Sequence, residues 1–451
     1  MKKIISAVFL LSIAGWAVFT FNSRNPEPVF QGKPITQWVQ DLASSDYQLH
    51  QQAVEAIQAK GKSSVPYLMD GLQTEETFFR KIRFRLARKI PFLPFNSVDC
   101  AVLRAKSAEQ LGAFSRDQDA ALKALVAALR DPNPDVLLEV QRALRRCGSA
   151  SVARLTLALR HRDARIRQGA AEVLADLGPQ AAPALPSLAL ALREKDEHVR
   201  CGAAKALGAI VRDQTFAIHA LGNALLDPVP VVRTAAAEAL GKIGSSSRTV
   251  LPQLMDRLRD QNTGVRIAAA KAVWLVSGQT ETVVAVLIEA LPDRQVGWQA
   301  PFILGEMGPH AHAAVPALIE ALKLEKVPRP LRTPPSTALA LGQIGAAAVP
   351  RLVETLQSEQ PRVRTGAALA LGFIGPEAKA AISGLVKLLS DQELEVRQAA
   401  ALSLSSIRPE TKELLPALKE MIRDDDIFLS SAAAFVLRKV DPVGAAELGL
   451  E

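Results

Sequence analysis

Val199-Arg200-Cys-Gly-Ala-Ala-Lys-Ala-Leu207-Gly208 and Val232-Arg233-Thr-Ala-Ala-Ala-Glu-Ala-Leu240-Gly241 are two versions of one pattern, thirty-three residues apart. The pattern returns as Val363-Arg364-Thr-Gly-Ala-Ala-Leu-Ala-Leu371-Gly372 and Val396-Arg397-Gln-Ala-Ala-Ala-Leu-Ser-Leu404-Ser405. The residue after the last Leu serves as a register mark. It falls at Gln58, Gly112, Arg145, Ala175, Gly208, Gly241, Trp274, Gly305, Gly342, Gly372, Ser405 and Arg438. Most steps are 30 to 33 residues, with a long insertion before the second unit and a smaller one before Gly342. Twelve units at a near-constant period of this length specify a stacked-repeat architecture before any single helix is read.

Each unit carries the same local physics. A first helix holds Leu at spacings of three and four, as in Pro252-Gln-Leu254-Met-Asp-Arg-Leu258 and Pro316-Ala-Leu318-Ile-Glu-Ala-Leu322. Proline suits the first helical turn, where no amide hydrogen is needed. A short turn follows, such as Asp227-Pro-Val-Pro or Asp260-Gln-Asn. The second helix then places Val232, Ala236, Ala239, Leu240 and Ile243 on one face. Gly244 or Gly375 stops it in C-cap fashion. One hairpin cannot bury its apolar face alone, so neighbours must stack. The expected fold is all-α, a right-handed α-solenoid of about twelve hairpins spanning residues 36–445.

These residues resemble the HEAT-repeat family, and within it the short bacterial type named after phycobilisome-lyase HEAT-like repeats. The motif Asp-x-x-x-x-x-Val-Arg-x-x-Ala-Ala-x-Ala-Leu-Gly-x-Ile-Gly is nearly complete at 227–244 and 391–407. The layout is similar to that of membrane-anchored bacterial HEAT proteins. The resemblance implies a ladder of ion pairs between adjacent repeats. Asp163, Asp196, Asp227, Asp260 and Asp391 take the acidic role, and Arg167, Arg200, Arg233, Arg266 and Arg397 the basic one. No Arg fills the slot at Val296-Gly297 or at Thr333-Pro334.

Composition excludes much else. Hydrophobic residues are 49% of the 451, so the chain has ample material for a core, while 5% aromatics is thin for a β-sandwich or propeller. Three scattered cysteines form neither a disulfide framework nor a Cys-x-x-Cys metal site. There is no phosphate-cradling Gly-rich loop, no Gly-x-Ser-x-Gly elbow and no His-Glu-x-x-His. The HEAT-repeat deoxyhypusine hydroxylases bind iron through His-Glu pairs, and none of the six histidines here precedes Glu. The expectation is therefore a protein that is not an enzyme and has no cofactor and no metal. A lyase-like HEAT enzyme, or an accessory subunit of one, is the alternative class.

At the N-terminus, Lys2 and Lys3 precede an apolar run from Ile4 to Phe21. Eighteen helical residues span roughly 27 Å, close to the hydrocarbon thickness of a bilayer. Residues 1–21 read as a signal anchor or transmembrane helix, with a signal peptide as the other possibility, and 22–35 as a polar tether. Either places the body on the extracytoplasmic side, which is periplasmic in a diderm bacterium. Nucleic acid is not expected as a partner there. The oligomeric state is left open.

Two surfaces are candidates for binding. The insertion at 74–97 carries Arg80, Lys81, Arg83, Arg85, Arg88 and Lys89 around the apolar face Phe79, Ile82, Leu86 and Ile90. Residues 74–170 hold 19 Lys and Arg against 10 Asp and Glu, more than the whole chain's excess of +8. Such a segment near an anchor suits an anionic lipid surface, or simply a solvated helix. The second surface comes from the register. Six residues after the helix Val, the column reads Glu55, Glu109, Arg142, Glu172, Lys205, Glu238 and Lys271, then Phe302, Leu339, Leu369, Leu402 and Phe435. That position faces away from the core stripe, toward the concave groove of a solenoid. With Trp274 and Trp298 nearby, the C-terminal half offers an apolar groove for an unidentified protein or peptide. Tighter curling of these repeats, or coverage by the insertion Val327–Pro335, would bury the same residues.

Overall fold

The computed structural model describes residues 27–75, 99–114, 118–324, 335–407, 411–423 and 427–450. The chain divides at Val211/Arg212 into two compact units. Among the described residues each is a stack of helical hairpins, five in the first unit and seven in the second. The second helices of unit one are Tyr47–Lys60, Cys100–Phe114, Pro134–Arg146, Ala164–Leu177 and Glu197–Ile210. Those of unit two are Pro230–Ile243, Thr263–Ser277, Gln299–Met307, Ser336–Ile344, Pro361–Ile374, Leu394–Ile407 and Ile427–Val440. The all-α solenoid and its twelve hairpins are as the period predicts. The proposed anchor and the basic stretch Arg80–Lys89 lie outside the described residues.

The turn chemistry follows the sequence. Gly244 and Gly375 end their helices at φ 72°, ψ −139° and φ 73°, ψ −137°, backbone that only glycine adopts without strain. Each then starts a 3-10 turn leading into the next first helix. Pro252 and Pro316 sit in the first turn of the helices Leu251–Arg257 and Val315–Ala321.

The register mark is where consecutive second helices touch. A methyl group on Gly112 would lie 2.8 Å from Ala143 Cα, one on Gly241 3.1 Å from Ala272 Cα, and one on Gly372 2.9 Å from Ser403 Cα. Ser403 Oγ donates across this contact to the Ala368 carbonyl at 2.6 Å. Leu111, Leu144, Leu240 and Leu371 are fully buried beside these approaches.

The ion-pair ladder is present, with one correction to its membership. Arg233 Nε and Nη2 donate to Asp260 at 2.9 and 2.8 Å, and Arg364 donates to Asp391 through the same two atoms at 2.8 Å each. Arg104 pairs likewise with Asp131. In every case the acid lies twenty-seven residues downstream, in the next hairpin's turn. Nη1 meanwhile closes the arginine's own turn, as from Arg233 to the carbonyls of Asp227 and Pro228. Asp163 and Asp196 are not ladder residues. They are helix N-caps, accepting from Arg165 N and from His198 N and Val199 N, because their slot lies two residues later. The ladder slot in those turns holds His161 and Glu194, and Arg167 reaches Glu194 only at 3.7 Å.

The N-terminal end has its own closure. Val29–Phe30 and Lys33–Pro34 form a tight antiparallel hairpin through Gln31 and Gly32, both at positive φ. Phe30 meets Trp38 edge-on at 6.3 Å, Trp38 Nε1 donates to the Phe30 carbonyl, and Lys33 Nζ lies 4.0 Å from the Trp38 ring centre. Residues 27–35, read above as part of the tether, thus belong to the folded body.

Burial pushes the Asp260 carboxyl up, but the bonds from Arg233 and the Asn262 amide outweigh it and leave it below the ordinary carboxylate value. Asp391 is lowered in the same way by Arg364 and the Glu393 amide. A carboxylate with a depressed folded pKa stabilises the protein above its unfolded value of about 4, and that contribution is lost as pH falls through the folded pKa. Urea unfolding should therefore show stability decreasing below about pH 4, and Asp260→Asn should flatten that dependence. Arg233→Met, which leaves Asp260 buried without its main partner, should cost about 2–4 kcal/mol at pH 7. An unchanged midpoint would mean that the ladder is ornamental.

Candidate protein-binding surface

The second helices that carry the ladder arginine run fourteen or fifteen residues in unit two, from Pro230–Ile243 to Leu394–Ile407. Two are shortened to nine, Gln299–Met307 and Ser336–Ile344. They are the two whose arginine slot is Gly297 or Pro334. At Gly297 the backbone folds against the turn, its amide donating to the Asp293 carbonyl at 2.8 Å. A methyl group there would come within 2.5 Å of the carbonyl oxygens of both Ala290 and Asp293, so no side chain fits. Asp293 caps this turn through the amides of Gln295 and Val296. A side-chain hydrogen bond with Thr263 adds to those bonds and holds its carboxyl below the usual value.

The shortened helix sets out its aromatics. Trp298 stands at the N-cap of Gln299–Met307, 59% exposed, with Nε1 donating to the Gln295 carbonyl at 3.1 Å. Phe302, one turn on and 46% exposed, meets it edge to face at 6.1 Å and 85°. Such a pair holds its own geometry and gains on the order of 1 kcal/mol beyond area burial. Further along the same column, Leu402 and Phe435 are also exposed. Trp274 and Leu339 are half-buried.

Leu369 is a correction. It is 8% exposed and belongs to the packing between hairpins, because the helices on either side close in at glycine. A methyl group on Gly342 would fall 2.4 Å from Phe373 Cβ, and one on Gly372 2.7 Å from Ser403 Oγ. The exposed apolar residue on that helix is Phe373, one turn beyond Leu369, and Leu275 occupies the equivalent place after Lys271. Both lie at four residues from the column already read, so a second column at that offset would have found them.

The charged part of the column is solvated and locally paired. In unit two Lys271 bridges to Glu306 at 2.8 Å. In unit one Lys106 pairs with Glu109, Arg142 with Glu139, and Gln141 donates to Glu172. Beyond Glu306 the helices Ser336–Ile344, Pro361–Ile374 and Leu394–Ile407 carry no ionisable residue after the first turn, whereas Ile427–Val440 ends with Arg438 and Lys439.

No group of three or more His, Cys, Asp and Glu is arranged to hold a metal among the described residues. His310 and His312 lie in the 3-10 turn Gly308–Ala314, where His312 Nδ1 is 3.2 Å from the Pro309 carbonyl. Cys100, Cys147 and Cys201 are buried thiols, none of them in a disulfide. Among the described residues one stretch, Pro361–Leu388, is long and apolar enough to cross a membrane by composition. It comprises the second helix of one hairpin, a 3-10 turn that starts at Gly375, and the first helix of the next hairpin.

The family model for HEAT repeats matches residues 152–241, 185–274, 336–383 and 377–438, together just over half of the chain. The chain is a HEAT-repeat protein. The HEAT solenoid is similar in fold to importin β, at 15% identity over 90% of this chain and 55% of that one, TM-score 0.55. It is similar to Kap121p at 13% identity, over 90% of this chain and 48% of that one, TM-score 0.51. Kap95, solved in complex with Nup1, matches at 14% identity over 90% and 55%, TM-score 0.52. The HEAT chain thus spans about half the length of these solved solenoids. No curated protein sequence matches it.

Exposure separates the two roles on this face. Phe302→Ser should change stability by less than about 1 kcal/mol, as surface substitutions do. Leu369→Ala should cost about 2–4 kcal/mol, as for a filled core position. Thermal unfolding of the two variants checks this, and equal losses would refute the assignment of Phe302 to the surface.

Proposed function

We propose that this HEAT protein is a non-catalytic scaffold that holds a partner protein against the inner face of unit two. The observation that carries the reading is the exposed Trp298–Phe302 pair, at the head of an apolar strip with no ionisable residue after the first turn of each helix as far as Leu394–Ile407. Aromatic side chains of this kind anchor protein interfaces, and scattered surface leucines do not. Solved solenoids of similar fold bind proteins, as the Kap95 complex with Nup1 and the Kap121p complex with Ste12p do, which supports the same class of role here. The mechanism is burial of apolar surface with no covalent step. The stretch Ile4–Phe21 would tether the body to a membrane and present this face on the extracytoplasmic side, in keeping with the membrane-anchored proteins that the repeat type resembles.

Photocrosslinking in the native cells tests the surface. A photoreactive residue at position 302 or 402 should give discrete adducts of higher mass, and one at 172 or 205 should not. Adducts confined to the charged positions, or identical from all four, would overturn the placement. Alkaline carbonate extraction tests the tether: the full chain should stay in the membrane pellet and a chain lacking residues 1–26 should be released. Release of the full chain would remove the membrane from the proposal.

A further inference from the structure

The first helices of unit one carry an exposed surface that the partner face does not use. Leu157, on the first helix Ser149–Ala158, is 64% exposed although Leu155 and Leu159 on either side are buried. Leu190, on Leu185–Ala191, repeats this thirty-three residues later at 58%, between buried Leu188 and Leu192. Each leucine has an exposed arginine three residues on, Arg160 and Arg193, which places the pair on one helix face. The preceding hairpin, with first helix Asp119–Ala128, offers exposed Ala127 and Arg130 at the same two positions. One turn earlier stand Lys123, Ala153 and Pro186, so no acid enters the three stripes. Asp119 opens this face, and Arg154 of the next hairpin neutralises it through two hydrogen bonds. The adjoining turns carry both signs, Arg162, Arg165 and Lys195 being exposed beside Asp135 and Glu197. The positive excess therefore lies on the first helices and their C-terminal ends.

Isolated surface leucines are ordinary, and it is the register that sets these apart. At the position of Leu157 and Leu190, unit two carries Asp256, Glu289, Glu320 and Glu354 in consecutive hairpins, all exposed. At the position of the arginines it carries Arg259, Pro292, Lys323 and Gln357, so the fold itself does not demand a cation there. Exposed leucines edged by arginines suit a phase that is apolar inside and negative at its boundary. On an anionic bilayer the leucines enter the headgroup boundary and the guanidinium groups stay with the phosphates. The acid row of unit two is one that such a surface does not attract. Reach agrees with charge. Glu27, where the described fold opens, is six residues beyond Phe21, at most about 20 Å of chain. With Ile4–Phe21 in the bilayer, as proposed above, unit one is held at the membrane surface. Even a weak attraction then suffices to lay this face on it.

We infer that the first-helix face of the third to fifth hairpins of unit one rests on an anionic lipid surface, with Leu157 and Leu190 in the interface and Arg130, Arg160 and Arg193 on headgroup phosphates. The inference draws on the proposed tether for its reach and not for its chemistry. The three native cysteines are buried, so a polarity-sensitive fluorophore can be placed through Leu157→Cys, Leu190→Cys or, as control, Glu320→Cys. The full chain is reconstituted from detergent into vesicles of phosphatidylcholine, with or without phosphatidylglycerol. Emission from positions 157 and 190 should shift to the blue with phosphatidylglycerol, and stay unshifted without it or at position 320. Arg160→Glu together with Arg193→Glu, its helix content checked by circular dichroism, should lower the apparent partitioning of the labels at least about tenfold. Added salt should weaken it as well. The labels on the chain with its arginines intact decide the matter even if that variant misfolds. Labels at 157 and 190 that stay unshifted would overturn the lipid face, as would a shift equal at 320 or equal in both kinds of vesicle. Flotation separates the tether: a chain that floats only with phosphatidylglycerol, with both labels shifted, keeps the lipid face and removes the tether.

Discussion

Successive second helices approach until backbone meets backbone, and the rest of each unit depends on that contact. Gly112 against Ala143, Gly241 against Ala272 and Gly372 against Ser403 leave no room for a methyl group. With the helices this close, the leucines beside them are sealed and each hairpin's apolar face is covered by its neighbour. The same contact fixes the register between repeats. It brings an arginine within bidentate reach of an acid twenty-seven residues away and aligns equivalent positions of successive second helices into a column. A bulkier residue at one contact would disturb the core, the ladder and the column together.

The ladder arginine and the Trp298 N-cap exclude each other locally. Where the arginine is present, its Nη1 ties down the preceding turn and the second helix begins early. Where Gly297 replaces it, the backbone closes the turn and the helix begins late, which leaves Trp298 at an open N-terminus. The loss of one stabilising device is thus the local cause of Trp298's exposure.

Most of the architecture was legible because the period and the helical phase are both carried by single residues. Twelve units, the Gly244 and Gly375 stops and the proline-started first helices could be read directly. What escaped depended on offsets of a residue or two, or on distances between chains of residues far apart. Asp163 and Asp196 have the residue type of the ladder but the position of a cap, and a slip of two in the turn changes one role into the other. Leu369 has the phase of Phe302 and Leu402, yet it is covered, because helical phase says nothing of how tightly the flanking helices close. Phe373 was missed for the converse reason, since only one column of the exposed stripe was followed.

The N-terminal hairpin has a bearing on how copies of the chain behave toward each other. A stack of like repeats ends in a surface made to receive another repeat, and an uncovered first hairpin would be a template for head-to-tail polymerisation. Here Phe30 and Lys33 lie over Trp38, with the hairpin strands packed on the opening helix Ile35–Asp41. The two short strands therefore bury Trp38, 5% exposed, and leave less bare apolar surface at the first hairpin for another repeat to stack on.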